Sequence, residues 1–145
     1  CNVFKMDDFF LQPFQRTKER LESPGENVDH ERFEQEILIP LSKHEDVKLC
    51  KFNCSTMSIE HAILIPYKPL NIIEGSYSMH SSLQKYYDFS VFLTLNKEEQ
   101  IERLKKRNPN MLNNFIQRWI PLEELYFNTF SIQDKCNILI DTSKA

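Results

Sequence analysis

The 145 residues, 41% hydrophobic and 12% aromatic, are enough for one domain with a real core and too few for two ordinary ones, so residues 1–145 are expected to form a single domain. A balance of 18 Lys+Arg against 21 Asp+Glu, a net charge of -3, gives no broad basic field for a phosphate backbone and excludes nucleic acid as the main partner. No apolar run approaches the roughly 20 residues that span a bilayer, and no signal-peptide pattern is present, so the expectation is a soluble protein without a membrane partner.

The chain opens on a short apolar run, residues 3–6 of "VFKMDDFF", which ends at two adjacent carboxylates, Asp7 and Asp8. That is how a buried strand delivers side chains to the carboxyl edge of a sheet. The polar segment "LQPFQRTKERLESPGENVD", with Pro13, Pro24 and Gly25, reads as a loop with one helical turn. In "DHERFEQEILIPL", Phe33, Ile37, Leu38 and Leu41 recur at helical spacing, Asp29 is placed to cap the start and Pro40 lies near the end. "VKLCKFNCSTMSI" alternates weakly and suggests a strand or hairpin, its far end unplaced.

"PLNIIEGSYSM" predicts a buried strand ending at Glu74-Gly75, and "YYDFSVFLTLN" a third strand rich in aromatic and β-branched residues. "KEEQIERLKKRN" follows as an amphipathic helix with Ile101 and Leu104 on one face. After Pro109 the stretch "NMLNNFIQRWI" reads as a helix that runs to Pro121; "LEELYFNTFSI" makes another helix, and "CNILIDT" a last strand. Strands that alternate with helices and end in polar residues predict a parallel α/β sheet covered on both faces. Trp119, Tyr126, Phe127 and Phe130 are expected to pack a helix on that sheet, and Tyr86 and Tyr87 to serve the core.

Cys1, Cys50, Cys54 and Cys136 form no C-x-x-C pair, and no histidine sits at ligand spacing beside Cys50 and Cys54. Neither a disulfide framework nor a zinc site is indicated, and reduced thiols in a cytoplasmic protein are the plain expectation. The two glycines, Gly25 and Gly75, lack the context of a G-x-x-x-x-G-K-[ST] phosphate loop.

"MDDFF", "ENVDHERF", "IIEGSYSM", "QIERLKKRN" and "NILI", in this order over nearly the whole chain, resemble the uridine kinase group of P-loop nucleoside kinases, most closely its shorter bacterial members. The resemblance implies a three-layer P-loop NTPase-like fold, a parallel sheet flanked by helices, with the first strand, the Walker loop and its helix absent from this sequence. In that family the absent strand is central, so its loss should expose apolar edges on both neighbours. The expectation is either a truncated kinase or a shortened protein that repairs its sheet another way, for instance as a homodimer.

The resemblance also implies roles, with ATP and Mg2+ as cofactors and a nucleoside, uridine in the family's usual case, as substrate. Phosphoryl transfer asks for positioning and charge neutralisation around an in-line displacement. Asp7 matches the aspartate that orients the ribose 5′-hydroxyl and takes its proton, while Asp8 fits a supporting role. Asp29 matches an aspartate that binds ribose hydroxyls, although on sequence alone it is a helix N-cap. His30 and Arg32 are candidates to contact the nucleoside, with a solvated helix face as the alternative for Arg32; Arg16 and Arg20 are weaker candidates to face a nucleotide. Glu74 matches the acid that approaches nucleotide-bound magnesium through water, and Tyr77 and His80 would line the nucleoside pocket or simply pack. Arg103 and Arg107, four residues apart on one helix face, resemble lid arginines that stabilise charge on the transferring group; Lys105 and Lys106 flank them.

The function implied is ATP-dependent phosphorylation of a nucleoside 5′-hydroxyl in the intact protein, the chain as written being expected to do so poorly without the phosphate cradle. The rivals are a pseudokinase or regulatory module that binds nucleoside or nucleotide without turnover, and a stable fragment whose function is lost.

Overall fold

Asn2 and Phe4 point inward and Val3 and Lys5 outward in β1 (Asn2–Lys5), the period-two pattern of a half-buried strand. The computed structural model describes residues 1–143, which pack as two compact units, Cys1–Tyr86 and the residues from Tyr87 onward.

In the first unit β1 pairs in parallel with β6 (Asn71–Glu74), from Asn2 opposite Asn71 to Lys5 opposite Glu74. The buried Asn2 amide is satisfied, its Nδ2 donating to Pro66 O at 2.9 Å and to Asn71 Oδ1 at 3.2 Å. After β1 come α1 (Lys18–Glu22), capped by Thr17, and α2 (His30–Phe33), which runs on through a π segment (Glu34–Leu38) into α3 (Ile39–Ser42). The π segment sits directly before Pro40, whose ring would collide with the carbonyl four residues back in a regular helix, so the widened turn lets the helix pass the proline. Phe33, Ile37 and Leu38 of this helix are buried with Phe4, Met6, Phe9 and Leu83, and Phe9 meets Phe33 edge to face at 4.9 Å.

Between α3 and β6 lie two antiparallel pairs: β2 (Val47–Leu49) with β5 (Ile63–Ile65), and the hairpin of β3 (Phe52–Asn53) with β4 (Ser58–Ile59). Asn53 Oδ1 turns the hairpin by accepting from the Ser55 and Thr56 N–H groups at 2.9 and 3.2 Å.

In the second unit β7 (Val91–Thr94) pairs in parallel with β8 (Ile138–Asp141). Between them run α4 (Lys97–Arg107), capped by Asn96, then α5 (Leu112–Asn114), a second π segment (Phe115–Trp119), α6 (Ile120–Thr129) and α7 (Ile132–Lys135). The helix expected to stop at Pro121 passes through it. The cause is the one seen at Pro40: the π segment widens the turn just before the proline. Phe127 packs edge to face on Phe92 of β7 at 5.1 Å and Tyr126 is fully buried, while Trp119 meets Phe115 edge to face at 4.6 Å within its own helix.

The strands therefore fall into four two-stranded sheets among the described residues, two parallel and two antiparallel, and not into one parallel sheet covered on both faces. Val3 and Ile72 share the outward face of the first parallel pair and are half-exposed. Val91, Leu93, Ile138 and Ile140 share one face of the second pair and are each 44–63% exposed. A strand pair buries only the face that its own unit packs against, so its outward aliphatic residues stay open. No helix among the described residues is long and apolar enough to cross a membrane.

Gly75 ends β6 at φ +135°, and a Cβ built there would lie 2.7 Å from Met6 Cβ. Gly75→Ala is expected to destabilise the protein by about 2–3 kcal/mol, from backbone strain and the clash together. A urea midpoint equal to that of the parent would refute the close approach.

Candidate functional site

Because β1 and β6 run in parallel and in register, both deliver their last residues to the same edge. Past Lys5 the chain makes a single 3-10 turn (Met6–Asp8), which leaves Asp7 exposed just beyond β1. Glu74, at the end of β6, is exposed as well, and neither carboxylate has a hydrogen bond or ion pair among the described residues. Asp8 turns the other way, its carboxylate 3.4 Å from Lys51 Nζ. Two acids thus stand open at one sheet edge, where an open α/β sheet offers ligands its carboxyl ends. Gly75 carries the chain from Glu74 into the turn that contains half-buried Tyr77, whose carbonyl accepts from the His80 N–H at 3.1 Å.

A second group gathers at the start of α2. Asp29 is nearly fully buried and its Oδ1 accepts from the Arg32 N–H at 3.2 Å, the N-cap contact expected of it. The Arg32 guanidinium donates to Cys50 O at 2.6 Å, to Glu36 Oε2 at 3.0 Å and to Asp8 O at 3.4 Å. It also faces Asp29 Oδ2 at 3.5 Å and lies over the Phe9 ring at 4.1 Å. Arg32 is thereby committed to holding the loop after β1, the β2–β3 link and the helix start together. Arg16 donates to Leu11 O at 2.9 Å, and Arg20 grips Glu26 O, Val28 O and the Glu31 carboxylate.

Next to that helix start lies a cluster of Glu26, His30 and His80. Glu26 Oε2 is 2.9 Å from His30 Nε2 and Glu26 Oε1 is 3.1 Å from His80 Nε2, while the two imidazoles stack at 3.8 Å with 16° between their planes. Ser82 Oγ sits 2.8 Å from His80 Nδ1 and 3.4 Å from His30 Nδ1. Burial, and then the neighbouring His30, push the His80 imidazole below its usual range. Burial pushes the Glu26 carboxyl up, but the hydrogen bonds from His30 and His80 outweigh it and hold the group below the usual carboxylate range.

Both shifts act on stability in one direction. A histidine with a depressed folded value binds its proton more tightly when unfolded, so stability falls as pH drops below about 6.5; a depressed carboxylate gives stability that is lost as pH falls through its folded value. The thermal midpoint is accordingly expected to fall on acidification from pH 7 to pH 5, less so in His80→Gln. A flat midpoint over that range would contradict this network.

In the second unit, Arg103 donates to Glu99 Oε1 at 2.7 Å and to Thr142 O at 2.8 Å, tying α4 to the end of β8. Arg107 is exposed, its guanidinium 5.9 Å from the centroid of the Phe115 ring. An open depression in this unit is lined by Phe92, Phe127, Asn128, Ser131, Gln133 and Asp134, none of them a site residue expected from sequence.

The chain has a known fold. It superposes on the structure of a possible uridine kinase from Bacillus stearothermophilus with a TM-score of 0.69, covering 97% of this chain and 71% of that one at 19% identity. No family model and no curated protein matches the sequence. What the superposition establishes is a mixed α/β fold, with parallel strand pairs, similar to that of the Bacillus protein.

Of the residues singled out in the sequence, the structure brings Asp7 and Glu74 to one edge, groups Asp29, His30 and Arg32 at the start of α2, and carries Arg103 and Arg107 on α4 of the second unit. Sequence reasoning missed the joining of Glu26, His80 and Ser82 to His30. Glu26 and His30 are four residues apart, a usable signal, but His80 comes from the turn after β6 and only the fold brings it there.

Proposed function

We propose that the protein transfers the γ-phosphoryl group of ATP to the 5′-hydroxyl of a nucleoside, uridine being the acceptor that the family resemblance favours, on a three-layer P-loop kinase-like architecture. The observation that carries this reading is the pair of open carboxylates, Asp7 and Glu74, at the carboxyl edge of two adjacent parallel strands, in a fold shared with a possible uridine kinase. In this reading Asp7 accepts a hydrogen bond from the acceptor hydroxyl, orients it in line with the phosphorus and takes its proton as the new P–O bond forms.

Magnesium prefers oxygen donors and keeps several of its waters. Glu74, exposed and without a partner among the described residues, fits one water-mediated contact of that kind. When bound, the ion supplies charge neutralisation across the donor phosphates. Tyr77, in the turn that follows Glu74, is the nearest aromatic in sequence for the nucleoside; the charge-neutralising role that the family resemblance gives Arg103 and Arg107 falls on the second unit, where Arg103 already holds Glu99 and the Thr142 carbonyl. Asp29, His30 and Arg32 already have partners in the fold, so any nucleoside contact by them is made with atoms left over from those bonds.

A second reading rests on the same open carboxylates, Asp7 and Glu74, which serve binding as well as transfer. In that reading the same edge binds a nucleoside or nucleotide without turnover. Uridine titrated into the protein in a calorimeter tests what both share. A saturable 1:1 heat supports a nucleoside site, and no heat with uridine in the millimolar range removes both readings.

A further inference from the structure

We propose that Glu26, His30 and His80 form a binding site for a divalent transition-metal ion, zinc by preference, built from residues other than Asp7 and Glu74. One ligand atom from each residue lies within 4.8 Å of the other two. Glu26 turns a different oxygen to each ring, Oε2 at 2.9 Å from His30 Nε2 and Oε1 at 3.1 Å from His80 Nε2, both distances close to the separation of about 3.3 Å that neighbouring ligands take around tetrahedral zinc at bond lengths of about 2.0–2.1 Å. Two histidines that are 9% and 7% exposed, with near-parallel rings, present their Nε2 atoms to one carboxylate. Two imidazoles and one carboxylate select a borderline ion of the zinc, cobalt or nickel kind over magnesium or calcium, which take oxygen donors.

The surroundings have the parts that such a site needs. Ser82 Oγ, at 2.8 Å from His80 Nδ1 and 3.4 Å from His30 Nδ1, stands where a hydroxyl orients both rings from behind. Without metal, the Ser82 N–H donates to His80 Nδ1 at 3.3 Å, and the His80 Nε2–H then faces Glu26. Metal binding takes the other neutral tautomer: the cation replaces the proton at Nε2, the ring carries its proton at Nδ1, and Ser82 Oγ accepts from it. Arg20 anchors the loop that carries Glu26 by donating to the Glu26 and Val28 carbonyls at 3.0 and 3.1 Å. It also holds the Glu31 carboxylate, whose Oε2 is 3.7 Å from His30 Nε2, as a fixed negative charge beside the cation. Three protein ligands leave one tetrahedral position to water.

The test uses protein stripped of metal with a chelator and then titrated with zinc chloride, followed by calorimetry and thermal unfolding. One equivalent should bind and raise the midpoint, and Ser82→Ala should weaken binding by about 10- to 100-fold. His80→Gln and the half-exposed Glu26→Gln should each abolish the 1:1 site. His61→Ala, an exposed histidine, should not. Four free thiols are also zinc ligands, so cobalt(II) is substituted: the proposed site gives visible ligand-field bands without a thiolate-to-metal charge-transfer band. Binding of neither ion, binding that survives both glutamine variants, or a cobalt spectrum with thiolate character would overturn the assignment. Glu26→Gln keeps the test meaningful should His80→Gln fail to fold.

Discussion

Asp7→Asn is expected to lower phosphoryl transfer to uridine by on the order of 10²- to 10⁴-fold, with uridine affinity and the thermal midpoint close to those of the parent. The substitution keeps the shape of the side chain and its capacity to hold a hydroxyl, and removes only the ability to take the proton. Asp7 is exposed and makes no hydrogen bond or ion pair among the described residues, so its replacement leaves no buried partner stranded. The diagnostic is a fall in kcat at constant KM, read beside an unchanged melting curve. Loss of both kcat and stability would instead make Asp7 a structural turn residue, and an unchanged kcat would remove it from the chemistry.

Arg32→Ala is expected to cost about 3 kcal/mol of folding stability, the largest single effect on stability anticipated in this chain. The Arg32 side chain is 10% exposed and the Asp29 side chain facing it 3%. Truncation would leave Asp29 as an uncompensated buried charge and would free the carbonyls of Cys50 and Asp8. It would also remove a flat cation from the face of Phe9. Arg32→Lys should recover only part of the loss, because an ammonium cannot reach two carbonyls and a carboxylate from one plane while stacking on a ring. Chemical denaturation of the two variants measures this; a loss under 1 kcal/mol for the alanine variant would show that the contacts are marginal in solution.

These two residues also mark what could be read from the sequence. The strand before Asp7 and the strand before Glu74 were legible because each is a short apolar run closed by an acid, and pairing them in parallel follows from the helices between strands. The Asp29 cap was legible because the residue type and the hydrophobic period behind it agree. The network that engages Arg32 was not, since its partners lie on the loop after β1 and the β2–β3 link, and no local pattern encodes them. Strand β5 is not legible in sequence: "AILIP" lacks alternation, and its partner β2 fixes it only in three dimensions. Pro121 misled for a specific reason, because a proline ends a regular helix but not one that widens into a π turn before it. A single covered sheet follows from strands that alternate with helices and end in polar residues, a pattern that says how elements follow one another and not which faces find a cover.

Phosphoryl transfer is tested most directly by coupled ADP release, measured on the protein expressed from its full reading frame with ATP and magnesium, with and without uridine. ADP release is expected to depend on uridine and to be matched by uridine 5′-phosphate formed in equal amount. ADP release indifferent to uridine, or none at all while uridine still binds, would contradict phosphoryl transfer and leave the carboxylate edge of β1 and β6 as a binding site without turnover.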